Sequence, residues 1–108
     1  MKSSLAVIVA LFLGSPVVAQ AQDVAAAEAL MKKSGCFKCH SVTAKKDGPS
    51  YKSVAEKYKG KADAEEKLIK HITTGPMVKI EGKEEHHDII KTKDEKEIKN
   101  VVSYILSR

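Results

Sequence analysis

Five consecutive residues, Cys36-Phe37-Lys38-Cys39-His40, constrain this chain more than any other feature. The pattern C-x-x-C-H is an attachment site for a haem of the c type. Each thiol adds to one vinyl group of the porphyrin and forms a thioether. Two intervening residues let a single tight turn present both sulfurs to neighbouring vinyl edges. The following residue then lies beneath the iron, so the His40 imidazole is placed as the proximal ligand. Two other chemistries use paired cysteines. A thioredoxin-type C-x-x-C requires a βαβ context, and the flanks here read as helical. A zinc site requires four ligands; the four histidines could contribute, but there is no second cysteine pair.

The first residues carry an export signature. Lys2 forms a positive start, Leu5 to Leu13 an apolar run, and Gly14, Ser15 and Pro16 break it. Ala19-Gln20-Ala21 is a small-x-small cleavage site. The apolar run is too short to span a bilayer and no stop-transfer pattern follows. Residues 1–21 are therefore expected to be a cleaved signal peptide. Residues 22–108 are expected to form one domain in the periplasm, without stable membrane insertion after cleavage. Export and the haem motif agree, because haem is joined to C-x-x-C-H outside the cytoplasmic membrane. Both cysteines of the chain lie in the motif, which leaves none for a structural disulfide. A domain this small builds only a marginal core of its own, and a covalently held haem would supply the apolar centre.

Removal of Lys2 with the leader takes the formal charge from +5 to +4. The lysines are scattered, with no arginine cluster and no basic-aromatic interleaving, so nucleic-acid binding is not expected. Lysines around a haem edge would instead steer an acidic redox partner.

Helical signals dominate the remainder, and no sheet is expected. Helices are predicted over about residues 23–34, 51–59, 64–74 and 94–107. In the first, Ala26, Ala29 and Leu30 share a face, and Ser34-Gly35 ends it. Gly48-Pro49 marks a turn. Tyr51, Val54, Ala55 and Tyr58 point inward from the second helix; Leu68, Ile69 and Ile72 line one side of the third. Gly75-Pro76 stops that helix. Met77 to Lys93 reads as an irregular, charge-rich segment, and a long loop in so small a domain is usually functional. Asp94 with Glu97 forms a capping box. Ile98, Val101, Val102 and Ile105 then give the terminal helix its apolar face, with Tyr104 on the flank.

With these elements in place, the chain resembles the short bacterial class I cytochromes c. The resemblance rests on Gly35-Cys36-x-x-Cys39-His40, on Gly48-Pro49-Ser50-Tyr51-Lys52-Ser53-Val54-Ala55, and on the terminal helix ending Tyr104-Ile105-Leu106. It implies an all-α fold of about four helices around one covalent haem c, with the first and last helices crossing at the Ala26/Ala29 face against Val101 and Tyr104. It implies that the Pro49 carbonyl accepts a hydrogen bond from His40 Nδ1, a contact that orients the imidazole and raises its basicity.

The chain departs from the family at the second axial ligand. The family presents a methionine in the loop before the last helix; this sequence presents Glu84-Glu85-His86-His87-Asp88. Counting forward from Cys36 lands within one residue of His86, and counting back from Asp94 lands nearer His87. His86 is thus the first choice as distal ligand and His87 the second. Met77 lies some nine residues too early and ranks third, its other reading being a core methionine over the haem edge. His71, inside the third helix, reads as a surface or haem-edge histidine. Bis-histidine ligation would lower the potential relative to the family's His/Met pair. The functional expectation is a periplasmic one-electron carrier that is not an enzyme, either free or as the electron-accepting subunit of a larger oxidoreductase. The alternative is a haem protein that binds NO or CO through a labile sixth ligand.

Overall fold

The first helix, α1, runs from Val24 to Lys33, and its start is fixed by Asp23, whose carboxylate accepts the Ala26 N–H at 3.0 Å. The structure is a computed structural model and describes residues 22–108; the expected signal peptide, 1–21, lies outside the described residues. Helix α1 buries Ala27 and Met31 completely, with Leu30 packed partly against the core. This face is one position on from the expected Ala26/Ala29 stripe, both of which are exposed. Alanines at 25, 26, 27 and 29 give no periodic contrast, so Met31, the large side chain that must be buried, sets the helix rotation.

Gly35 adopts a left-handed φ of 79° and turns the chain directly into α2, the single turn Cys36–Cys39. A loop leads to α3, Tyr51–Tyr58, capped by Ser50 through the Ser53 N–H at 3.1 Å. Helix α4 covers Ala64–Thr74 and ends at Gly75, φ 60°. Helix α5 covers Glu95–Leu106, with the Asp94 carboxylate accepting from the backbone N–H groups of Lys96 and Glu97.

Between α4 and α5 the expectation of no sheet is overturned. Strand β1, Met77–Ile80, pairs antiparallel with strand β2, Lys83–His86, with Met77 opposite His86 and Ile80 opposite Lys83. Glu81 and Gly82 make the turn with φ of 51° and 79°. Positive φ at both positions matches the two-residue turns whose twist suits a hairpin. The charges of Lys79, Glu81 and Lys83 to Glu85 mask the strand signal, because β2 is exposed along its whole length. Only Val78 and Ile80 turn a half-buried face inward.

The core lies where α5 crosses α1 and packs on α3 and α4. Val101, Val102 and Tyr104 are essentially inaccessible, as are Ala27 and Met31 from the facing helix. Tyr104 thus lies in the crossing itself and reaches Glu28 with its hydroxyl at 3.0 Å. Asn100 clasps the start of α1, accepting the Asp23 N–H at 3.0 Å and donating to the Asp23 carbonyl at 2.8 Å. Ser34 at the end of α1 accepts the Lys91 N–H at 2.9 Å and anchors the segment leading to α5.

Candidate haem site

The single turn of α2 places Cys36 and Cys39 three residues apart, on one face of the turn. Both are free thiols and both line a cavity of about 450 Å³. Burial pushes the Cys36 thiol above its usual range. The turn closes with the His40 N–H donating to the Cys36 carbonyl at 3.0 Å. His40 itself is extended, and the loop after it folds back beneath its ring. The Gly48 N–H meets the Cys39 carbonyl at 2.7 Å, and His40 Nδ1–H donates to the Pro49 carbonyl at 2.7 Å. That bond fixes the tautomer and leaves Nε2 with a free lone pair directed away from the loop.

The His40 ring is held on three sides. A Cβ at Gly48 would lie 2.5 Å from His40 Cε1, so no larger residue fits beneath the imidazole as it stands. The ring of Tyr51 stacks on it with centroids 5.1 Å apart and planes at 27°. Phe37 meets Tyr51 edge-on at 6.0 Å, and Lys46 Nζ donates to the Phe37 carbonyl at 2.9 Å, tying the loop to the motif. Burial, with His87 adding to it, lowers the His40 pKa despite the Pro49 carbonyl, which favours the neutral imidazole. Gly48 and Tyr51 were legible only as a turn residue and an inward-facing aromatic. Their contacts with His40 depend on the loop folding back, which spacing alone does not convey.

The candidates for the opposite side have different surroundings. His87 faces His40 across the cavity, ring centroids 6.0 Å apart and planes at 45°. Its Nδ1–H donates to the Asp88 carbonyl at 2.7 Å, which again leaves Nε2 free. His86, the last residue of β2, is exposed at the cavity rim, and its Nδ1–H donates to the Gly75 carbonyl at 3.1 Å. Met77 is 52% exposed on β1 and does not line the cavity. His71 does line it, half-buried on α4, with its ring edge-on to His87 at 4.4 Å. Burial and the neighbouring His87 lower its pKa.

The remaining lining is largely apolar, including Val54, Leu68, Ile72, Ile90, Val101 and Ile105, with Asp47, Lys57, Lys79, Glu85 and Asp88 also lining the cavity. Among the described residues no group of three or more His, Cys, Asp and Glu side chains could hold a bare ion. Two imidazoles 6.0 Å apart on a largely apolar cavity, beside two thiols, suit a metal that brings its own equatorial ligands. Two metal–imidazole bonds of about 2 Å each, plus the two ring radii, come to about 6 Å. The site fits a haem carried on Cys36 and Cys39.

Comparison with known proteins agrees with this chemistry. Residues 24–108 match the family model described as Cytochrome c. The fold is similar to that of the class 1 cytochrome MtoD from Sideroxydans lithotrophicus ES-1, with 56% identity and a TM-score of 0.77. That match covers 81% of this chain and 97% of the other. Cytochrome c-552 of Hydrogenobacter thermophilus is 45% identical over 64 residues, 59% of this chain and 65% of that protein. Cytochrome c-551 of Allochromatium vinosum is 50% identical over 46 residues, 43% of this chain and 49% of that protein. The matched stretches thus span between about half and two thirds of these curated relatives. With the motif, the cavity and the fold in agreement, the chain belongs to the cytochrome c family, which binds one covalently attached haem c, and Cys36-x-x-Cys39-His40 is its attachment motif.

Proposed function

We propose that this protein is a periplasmic one-electron carrier, not an enzyme, whose haem iron is held between His40 and His87. The observation that carries the reading is the pair of imidazoles facing each other at 6.0 Å, each with Nδ1 engaged by a backbone carbonyl. The haem supplies the redox-active iron when bound. Cys36 and Cys39 would hold it covalently, and the Pro49 and Asp88 carbonyls orient the two rings. The apolar part of the wall, Val54, Leu68, Ile72, Ile90, Val101 and Ile105, would pack against the porphyrin. Two protein ligands leave no coordination position for a substrate, which favours outer-sphere electron transfer over catalysis. Imidazole in place of thioether favours ferric iron, so the potential lies below that of a His/Met relative.

The sequence reading of residues 1–21 as a cleaved signal supports the periplasmic assignment, since haem attachment of this kind takes place outside the cytoplasm. Among the described residues no helix is long and apolar enough to cross a membrane. The net positive charge favours redox partners with acidic docking faces.

The test is an electron paramagnetic resonance and visible spectrum of the oxidised protein, with a potentiometric titration. A low-spin signal without thioether features, and a potential below that of His/Met relatives, is expected. A high-spin spectrum that responds at once to NO or CO would replace the carrier with a gas-binding protein.

A further inference from the structure

His86 and His87 are neighbours of the same chemistry with different surroundings. Successive residues of an extended chain point to opposite sides. His87 turns towards His40, whereas the His86 ring turns back to the end of α4, where its Nδ1–H donates to the Gly75 carbonyl at 3.1 Å. The last carbonyls of a helix lack intrahelical partners, so this bond satisfies a group that would otherwise depend on water.

The same seam holds the backbone of the next residue. The His87 N–H donates to the Pro76 carbonyl at 2.9 Å, and a Cβ on Gly75 would come within 2.6 Å of the His87 carbonyl oxygen. Further on, the Ile90 N–H donates to the Ile72 carbonyl at 2.8 Å. Residues 86–90 are therefore laid along the C-terminal end of α4 at close quarters. The His86 ring is the side chain that fastens the start of this segment, and it does so from the solvent side.

We propose that His86 is a positioning residue. Its imidazole pins the start of the 86–90 segment to the C-terminus of α4 and so keeps His87 directed at the iron site opposite His40. This rests on His87 as the distal ligand. Without the pin, the segment swings outward more often and His87 leaves the iron more often, while the resting position is unchanged.

Carbon monoxide uptake by the reduced holoprotein reads the frequency of that departure. His86→Ala and His86→Phe (a ring without a donor) keep the low-spin resting spectrum and take up carbon monoxide about fivefold faster, the worth of one neutral hydrogen bond. His86→Gln, whose amide can still donate, restores uptake close to that of the unaltered protein. Unchanged uptake in both the Ala and Phe variants overturns the proposal, as does equally fast uptake in the Gln variant. His87→Ala separates the two readings. If it becomes high spin while uptake in the His86 variants stays unchanged, only the pin is wrong. If it stays low spin while His86→Ala becomes high spin, the ligand assignment and the pin fall together.

Discussion

His87 lies across the cavity from His40 with ring centroids 6.0 Å apart, whereas its neighbour His86 is bonded to the Gly75 carbonyl on the rim. His87→Ala is accordingly expected to convert the oxidised protein from low to high spin, seen directly by electron paramagnetic resonance. Met77→Ala should leave the spectrum unchanged, since that side chain is half exposed and outside the cavity. His87→Met should stay low spin and raise the potential. Conversion by Met77→Ala alone would mean an ordinary His/Met protein.

Covalent attachment is tested on a denaturing gel stained for haem peroxidase activity, using protein from a host with working attachment machinery. The unaltered chain should stain. Cys36→Ser together with Cys39→Ser should abolish the stain, because no other thiol exists. A colourless unaltered chain would refute the haem reading altogether.

Gly48→Ala tests how tightly the proximal ring is seated. The added Cβ would meet His40 Cε1 at 2.5 Å and Nδ1 at 2.8 Å. Either the ring or the loop must move, at a cost of roughly 1–3 kcal/mol. A shifted low-spin signal with a lowered unfolding midpoint is expected. An unchanged signal and unchanged stability would show that the loop yields freely.

The crossing of α1 and α5 is tested by Val101→Asp, which places an unpaired charge among fully buried side chains and should cost roughly 3 kcal/mol or more. Tyr104→Phe removes one hydrogen bond to Glu28 and should cost about 1 kcal/mol. Denaturant unfolding of the holoprotein measures both. A Val101→Asp variant as stable as the parent would refute the crossing.

The helices were legible because each carries its own punctuation. Asp94 caps α5, Gly35 and Gly75 end α1 and α4, and the apolar residues of α5 recur at helical spacing. The attachment motif was legible because its chemistry is local. Three things were not. The rotation of α1 depends on Met31 meeting α5, which an alanine run cannot signal. The hairpin pairs residues whose charges suit solvent, so alternation is visible on one strand only. Counting residues brings both His86 and His87 to the distal position. What spacing could not convey is that the two differ in surroundings, His86 bonded to the Gly75 carbonyl and His87 within 6.0 Å of the His40 ring.

The clasp between Asp23 and Asn100 joins residues 77 positions apart. It makes the order of events during biosynthesis matter. Helix α1 is produced first, yet the surface that buries Ala27 and Met31 belongs to the last element produced. Contacts this distant in sequence close slowly compared with a local helical turn. A chain made amino end first therefore lacks the wall that Val101 and Ile105 add to the cavity beside Cys36 and Cys39 until its last helix arrives. That interval leaves both sulfurs accessible to the attachment machinery before the fold encloses them.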